Sequence, residues 1–564
     1  MSRVWSLPLW AHAVALSLIL VALSPFMHLT ESAWADDEGL YALQVESLHE
    51  GTWEYDYYGA SFDPEGRWFP IIRAERADGK YFPYIKHPVY VLALFGATEV
   101  LGSGIGLYAL TMLGLVLAAV AAWLLAAEIE ARAARSAFWL VAVSPMIVNA
   151  YVMWAHTLSA AVAGFTLWAS LRILKSGLSL PRGVGIIAGL AAGVLFRSEG
   201  VLFGGAVGLT LVVVLLHRRA VDKAVSVGVL CLFAVTMAVG FERWLIGRIT
   251  GAGRLAFERP RESVGERTGW EFAEARLRAL WRIVFNPSNA SVHLEFALLA
   301  LILVAASGLA LRLGGRESSV VGMGVASLGV AAALLMYGDR FAERSTTSAS
   351  GLFAAWPVAL LAFFAMGWRS TGADERVVGA IVLVFATSVF ATQYDVGGGG
   401  EWGGRFLSPV VVPIAVLAAV GLYRRLRQRP WSQRWLAVVL LVPLGVFPAT
   451  RGLEVVRSAR VIEGRWYGAI GAQSTSLLVV NEPSLWFLPT EAWRLGEKLD
   501  WIVDDSGGAG LEILQRLYAE GVDDVTVIQA AGDPTLARSP YPKVTEVTPD
   551  DLKSLGLRLF RVDR

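Results

Sequence analysis

The chain has 564 residues, of which 55% are hydrophobic and only 17% charged, with a mean hydropathy of +0.53. That much apolar surface is buried in a bilayer rather than in a soluble core, so the sequence is that of a polytopic membrane protein. A formal net charge of +1, with Lys and Arg spread through short loops, argues against a nucleic-acid partner. The single cysteine, Cys231, lies in an apolar run, which rules out an intrachain disulfide and a thiolate metal cluster.

The first segment, at about residues 8 to 28, exceeds the roughly 7 to 15 apolar residues of a signal-peptide core and lacks a small-x-small cleavage site, so it reads as a retained helix. About 30 Å of hydrocarbon requires about 20 helical residues, and about thirteen such spans are predicted, this one included. The others fall at 105 to 129, 137 to 155, 157 to 173, 184 to 197, 201 to 217, 224 to 241, 293 to 312, 319 to 337, 351 to 368, 377 to 393, 407 to 423 and 435 to 450. Connections carrying Arg132 and Arg135, Arg172, Lys175 and Arg182, Arg218, Arg219 and Lys223, and Arg424, Arg425, Arg427 and Arg429 then share one side. The positive-inside rule makes that side cytoplasmic, together with the N-terminus. The first loop, a second loop at about residues 242 to 292, the Gly-rich turn near residue 400 and the C-terminal segment are expected outside.

The first outer loop, about residues 30 to 104, has structure of its own. Leu40, Tyr41, Leu43 and Leu48 recur at near-helical spacing and Gly51 follows as a stop, which predicts a short helix with Asp36, Asp37 and Glu38 at its N-terminal end. Pro88 to Leu101 is apolar, too short to span comfortably and followed by Gly102, and predicts a second helix along the membrane surface. Tyr81, Phe82, Tyr84 and Tyr90 fit a headgroup belt. The aromatic stretch from Trp53 to Trp68 is either an ordered surface loop or an acceptor contact.

Beyond about residue 450 the composition becomes that of a small soluble unit. Leu477 to Val480, Trp501 to Val503, Val525 to Ile528 and Leu557 to Val562 read as strands and Leu511 to Glu520 as a helix. The expected organisation is a transmembrane domain over 1–450 and a small α/β extracytoplasmic domain over 451–564. The latter carries no nucleotide fingerprint and suits a docking or lid role.

A carboxylate enters lipid only at a cost of roughly 2.5 to 3.5 kcal/mol, so an acidic cluster at a membrane rim faces water, a metal or a substrate. Asp36 is also a good helix cap, and Asp37 and Glu38 suit the first turn through the helix dipole. The company of this cluster is what points to chemistry. Lys86 and His87 precede Pro88, Arg197 and Glu199 stand between two spans, and Arg405 follows Trp402, Gly403 and Gly404. Each cation alone is a snorkelling or paired residue, and Arg197 with Glu199 can simply be an ion pair. Together they set carboxylates and several cations at one membrane surface, the requirement for moving a sugar off a lipid phosphate.

These stretches also carry a resemblance. Asp37-Glu38-Gly39-Leu40-Tyr41 resembles the Asp-Glu-x-x-Tyr element in the first outer loop of the membrane-embedded GT-C glycosyltransferases, the superfamily of protein O-mannosyltransferases and aminoarabinose transferases. Lys86-His87-Pro88 is similar to their Lys-Pro-Pro or His-Pro-Pro element, with one proline where two are common. Leu195 to Gly200 resembles an Arg-x-Glu element, and Gly403-Gly404-Arg405-Phe406-Leu407-Ser408-Pro409 a Gly-x-Arg-Phe/Tyr-Leu-x-Pro element. The four occur in order over about residues 8 to 425.

The resemblance implies an all-α polytopic GT-C enzyme that takes a sugar from a polyprenyl-phosphate donor, with inversion, and gives it to a hydroxyl of a protein, glycan or lipid at the outer face of the plasma membrane. A phosphate leaves without protonation, so one base on the acceptor and cations on the phosphate suffice. By analogy Asp37 is the base, with Glu38 or Asp36 positioning it or holding a divalent metal ion. Arg405, Arg197 and Lys86 are the candidates for the donor phosphate. His87, Tyr41, Trp402 and Glu199 are candidates for substrate contact, Trp402 through stacking or as an interfacial anchor. Gly397 to Gly400 and Gly403-Gly404 permit a sharp turn or close backbone approach. A lipid or sugar transporter and an inactive GT-C-like envelope protein are the rival classes. Charges gathered at one rim rather than at the midplane favour the enzyme over the transporter.

Overall fold

The computed structural model describes residues 7–71, 75–77, 80–83, 87–251, 269–285, 351–362, 372–392, 402–485, 487–493, 499–504, 506 and 508–564. The expected spans at 293 to 312 and 319 to 337, together with Lys86 and Gly397 to Gly400, lie outside these residues. The chain gathers into two compact units, one of residues 1–25, 108–243 and 257–456, the other of residues 26–107, 244–256 and 457–564.

The first unit is a helix bundle. The described residues contain seven helices long and apolar enough to cross a membrane, among them Leu9–Met27, His156–Ser176, Glu199–His217, Ala373–Thr392 and Arg405–Leu426. Leu180–Phe196, with 17 residues, is a shorter apolar helix. The Ser408–Leu426 helix is the most enclosed, packing against His156–Ser176 and Ala134–Ala142. Small residues let backbones close up where lipid supplies no hydrophobic drive between helices. A Cβ on Gly164 would stand 2.8 Å from Ala121 and from Val412, and one on Gly200 would stand 2.3 Å from the Gly193 backbone. The Val221–Thr250 helix, by contrast, leaves Leu232 69% and Met237 56% exposed, as a lipid-facing surface requires.

Two expected spans are broken. Residues 137 to 155 form the end of the Ala134–Ala142 helix, a single helical turn at Met146–Asn149 and then turns up to Ala155. Pro145 has no N–H for a continuing helix, and Ser144 diverts the backbone by donating to Val141 O at 2.7 Å and accepting from Met146 N at 3.2 Å. Within 351 to 362 a short helix, Leu352–Ala355, stops at Trp356 before Pro357.

The basic connections share one end of the bundle. Lys175 pairs with Asp374 at 2.8 Å, Arg172 with Glu128 at 3.2 Å and Arg424 with Glu375, while Arg218 Nη1 donates to Leu174 O at 2.8 Å. His156, Glu199 and Arg405 begin helices that finish in this rim, and Arg197 caps one that starts beside it, so these four sit at the opposite end.

The second unit is built on a five-stranded sheet. With a small hairpin of β1, Glu75–Ala77, and β2, Lys80–Phe82, the strands are β3, Leu477–Asn481, β4, Asp500–Val503, β5, Asp524–Ala530, β6, Lys543–Glu546, and β7, Leu557–Asp563. The sheet order is β4-β3-β5-β7-β6, with β4, β3 and β5 parallel and β7 antiparallel to both its neighbours. Alternation sends Leu477, Val479, Ile502, Val525 and Val527 to one face and Leu478, Val480, Trp501, Val503 and Ile528 to the other. Both faces are covered, one by the Gly510–Ala519 helix through Ile513, Leu514 and Leu517, the other by Tyr467, Ile470 and Leu488.

The expected strands and the expected helix are all present. The edge strand β6 is additional: its four residues, Lys543 to Glu546, are exposed and carry no apolar alternation. The Trp431–Gln473 helix runs 43 residues, well past the compositional change at residue 450. The first loop packs into the same unit as the C-terminal strands, with Phe62 and Trp68 inside the core of the sheet and Trp68 O accepting Val503 N at 3.1 Å. Asp63 organises this stretch, accepting from Tyr57 Oη at 2.7 Å, Trp68 N at 2.9 Å and Arg67 N at 3.0 Å, so Trp53 to Trp68 forms an ordered loop.

Candidate active site

In the second unit the acidic end of the Asp36–His49 helix is set against the C-terminal segment. Gly39 makes the approach possible: a Cβ there would lie 1.7 Å from Thr490 O. Asp36 Oδ1 accepts Thr490 Oγ1 at 2.7 Å and Ala33 N donates to Glu491 O at 3.0 Å. Glu38 is fully buried, its Oε1 held by Arg460 Nη2 at 2.7 Å and its Oε2 by Trp34 N at 2.7 Å. Arg460, itself fully buried, also donates to Met27 O at 3.3 Å. Asp37 is half-buried beside them.

Around this pair lie further acids. Burial pushes the Glu463 carboxyl up to about 8, aided by the charge of Glu38 and opposed by Arg460. Burial, followed by the charge of Glu463, likewise raises Glu491 well above the carboxylate range, and Tyr467 Oη donates to Glu491 at 2.9 Å. Tyr41 meets Tyr90 edge to face at 5.2 Å between ring centres, and His49 Nδ1 pairs with Glu99 at 2.9 Å, so the two surface helices pack together. His87 is buried and left-handed, at φ 52°, directly before Pro88. For a non-glycine residue that conformation is an observed outlier of the kind that clusters at functional sites.

The cations of the first unit occupy the helix starts. Arg197 makes a two-pronged pair with Glu199, Nε to Oε2 at 3.1 Å and Nη2 to Oε1 at 2.8 Å, and Glu199 is buried. Arg405 follows two left-handed glycines, Gly403 at φ 79° and Gly404 at φ 63°. A Cβ on Gly403 would strike Pro145 at 2.3 Å and one on Gly404 would strike Ile283 O at 2.5 Å, so the Gly-Gly turn is required by both conformation and space. The guanidinium of Arg405 stands over the Trp154 ring at 5.0 Å, and Trp154 meets His156 edge on at 5.2 Å. Arg197 and Arg405 both act electrostatically on His156. Trp402 is buried and packs against the backbone of Gly452, where a Cβ would come within 2.6 Å of its ring. A small cavity lined by Ser159, Gly193, Gly200, Phe203 and Pro409 opens between the helices that carry these groups.

The structure thus sets Asp36, Asp37, Glu38 and Tyr41 at one end of a helix, joins Arg197 to Glu199, and brings both arginines near His156. It adds Arg460, Glu463, Glu491, Trp154 and His156, which the sequence did not single out. Arg460 and Glu463 fall in the stretch read as the lead-in to a soluble domain, and the only signal for His156 is a histidine opening an apolar run. Among the described residues no group of three or more His, Cys, Asp or Glu side chains is arranged to hold a metal ion, and both oxygens of Glu38 are already engaged.

No family model matches the sequence, and no curated protein matches it either. Solved structures do match. ArnT from Cupriavidus metallidurans bound to undecaprenyl phosphate aligns over 98% of this chain and 97% of that one, with a TM-score of 0.53 at 16% identity. The same enzyme in the apo state aligns over 98% of each chain, with a TM-score of 0.51 at 14% identity. The apo oligosaccharyltransferase of Archaeoglobus fulgidus aligns over 93% of this chain and 69% of that one, with a TM-score of 0.45 at 13% identity. With its membrane-spanning bundle and full-length likeness to the ArnT structures, the chain is a multi-pass membrane protein that shares their fold.

Proposed function

We propose that this chain is a glycosyltransferase that moves a sugar from a polyprenyl-phosphate carrier to a hydroxyl acceptor at the outer face of the plasma membrane, its N-terminus cytoplasmic and its C-terminal domain extracytoplasmic. The observation that carries this reading is that Arg197 and Arg405, from distant motifs, lie at the same end of the bundle, away from the basic rim, with Arg405 over the Trp154 ring that meets His156. The fold it shares with an ArnT structure holding undecaprenyl phosphate agrees with a lipid-phosphate donor.

The acceptor oxygen attacks the anomeric carbon while its proton passes to the Asp37 carboxylate. The bond from that carbon to the phosphate oxygen breaks, its electron pair stays on the phosphate, and configuration inverts. Arg405 and Arg197 balance the charge that develops on the departing phosphate, with Glu199 fixing the fork of Arg197. Lys86 is assigned to the same phosphate. Glu38 positions Asp37 by anchoring the start of its helix through Arg460 and Trp34. Asp36 does so through Thr490, and His87, Tyr41 and Trp402 are assigned to substrate contact or its support.

The test is transfer of radiolabelled sugar from a panel of polyprenyl-phosphate sugars to a membrane extract by the full-length protein. Asp37→Ala should lower transfer by about 10²- to 10⁴-fold with an unchanged melting temperature. Full activity in that variant removes Asp37 as the base, and absence of transfer from every donor by the wild type overturns the proposal.

A further inference from the structure

His156 is fully buried and neither ring nitrogen has a hydrogen-bond partner among the described residues. Buried histidines normally satisfy at least one nitrogen, and each buried polar atom left without a partner costs about 1 to 3 kcal/mol. The side chain is not an isolated core residue. It begins the His156–Ser176 helix, immediately after the turns at 150–155, and its ring abuts the same indole that carries the Arg405 guanidinium. Arg197 caps the Leu180–Phe196 helix, which packs against His156–Ser176, and its charge is felt at the imidazole.

The neighbours select the ligand. A metal ion at the imidazole would meet the nearby Arg405 guanidinium, while the Glu199 carboxylate is already paired with Arg197, which argues against a cation there. An apolar group leaves both nitrogens unsatisfied. A phosphate group offers several acceptor oxygens, enough for the Arg405 guanidinium, a further N–H of Arg197 and one imidazole N–H together. We propose that His156 is a phosphate ligand, donating an imidazole N–H to the phosphate of the lipid-linked donor beside Arg405 and Arg197. This deepens the donor reading above and rests on it. An imidazole N–H there adds directionality, since it fixes the phosphate along one axis.

The test measures equilibrium binding of undecaprenyl phosphate, undecaprenol and inorganic phosphate to the full-length protein in nanodiscs, for wild type, His156→Phe and His156→Gln. Wild type should bind undecaprenyl phosphate and not undecaprenol. His156→Phe should bind it about tenfold or more weakly, and His156→Gln, which keeps an N–H, should recover part of the loss. In parallel, the ¹⁵N-histidine signal that disappears in His156→Gln should move in the wild type when undecaprenyl phosphate is added. This readout decides the matter even if His156→Phe fails to fold, and a like movement with inorganic phosphate alone supports phosphate as the recognised group. Undiminished binding by the folded variants, or a histidine signal that stays still while the wild type binds, overturns the role of His156. A wild type that does not bind undecaprenyl phosphate overturns the lipid-phosphate reading itself and this inference with it.

Discussion

Two buried polar clusters, one in each unit, are treated differently. In the second, the acids at the helix start are tied down by the chain itself: Glu38 spends both oxygens on Arg460 and Trp34, and Asp36 accepts from Thr490. In the first, His156 keeps two unsatisfied nitrogens beside two guanidiniums. Ion-paired and hydrogen-bonded side chains hold a fold together, whereas a buried ring with neither nitrogen satisfied calls for a ligand. The contrast separates residues whose replacement should unfold the protein from residues whose replacement should blunt only its binding.

The sharpest way to break that contrast is Arg460→Ala. It leaves Glu38 charged and buried without its partner, and should destabilise the protein by about 3 to 5 kcal/mol, read as a fall in melting temperature. If the variant melts like the wild type, the Glu38–Arg460 pair does not support the helix carrying Asp37. Next in size is Gly404→Ala. A left-handed backbone costs an alanine about 1 to 2 kcal/mol, and the contact with Ile283 O adds to it, so the variant should melt earlier and bind undecaprenyl phosphate more weakly through displacement of Arg405. Weaker melting with unaltered binding would detach the glycine turn from the site.

Smallest per step, although it accumulates over several pH units, is a dependence on pH. Between about pH 4.5 and about pH 8 the folded second unit holds a proton on Glu463 that the unfolded chain has released, so stability should fall as pH rises across that window. The slope is at most about 1.4 kcal/mol per pH unit for one proton. Glu463→Gln keeps a neutral side chain at every pH and should flatten the melting profile over the same range. A slope that persists unchanged in that variant assigns the proton elsewhere, for instance to Glu491, which burial and Glu463 also push up.

Much of this architecture was legible in the residues. Hydropathy located His156–Ser176, Glu199–His217 and Ser408–Leu426 to within a few positions, because a bilayer imposes length and apolarity on each span separately. Alternation found β3, β4, β5 and β7, since a sheet covered on both faces needs apolar residues on each. Pattern failed where local chemistry competes with it. Ser144 and Pro145 break an apolar run that otherwise has the length of a span, and β6 is an edge whose exposed residues need no apolar face. The long helix through residue 450 also escaped, because a change from apolar to mixed composition marks a change of surroundings without ending a helix.

By itself the sequence determined the class of molecule, the basic rim and the motifs that resemble GT-C elements, because these follow from composition, charge and residue order along the chain. Only the tertiary structure decided the partners. Glu38 finds Arg460 across 422 positions, Gly39 is small because the backbone of Thr490 lies against it, and Phe62 and Trp68 complete the core of a sheet that begins at Leu477. His156 acquires its interest from Trp154, Arg197 and Arg405, and no local pattern marks it. The reason is physical: propensity and hydropathy act between near neighbours, whereas the satisfaction of a buried charge or nitrogen depends on whatever the fold brings within hydrogen-bond reach.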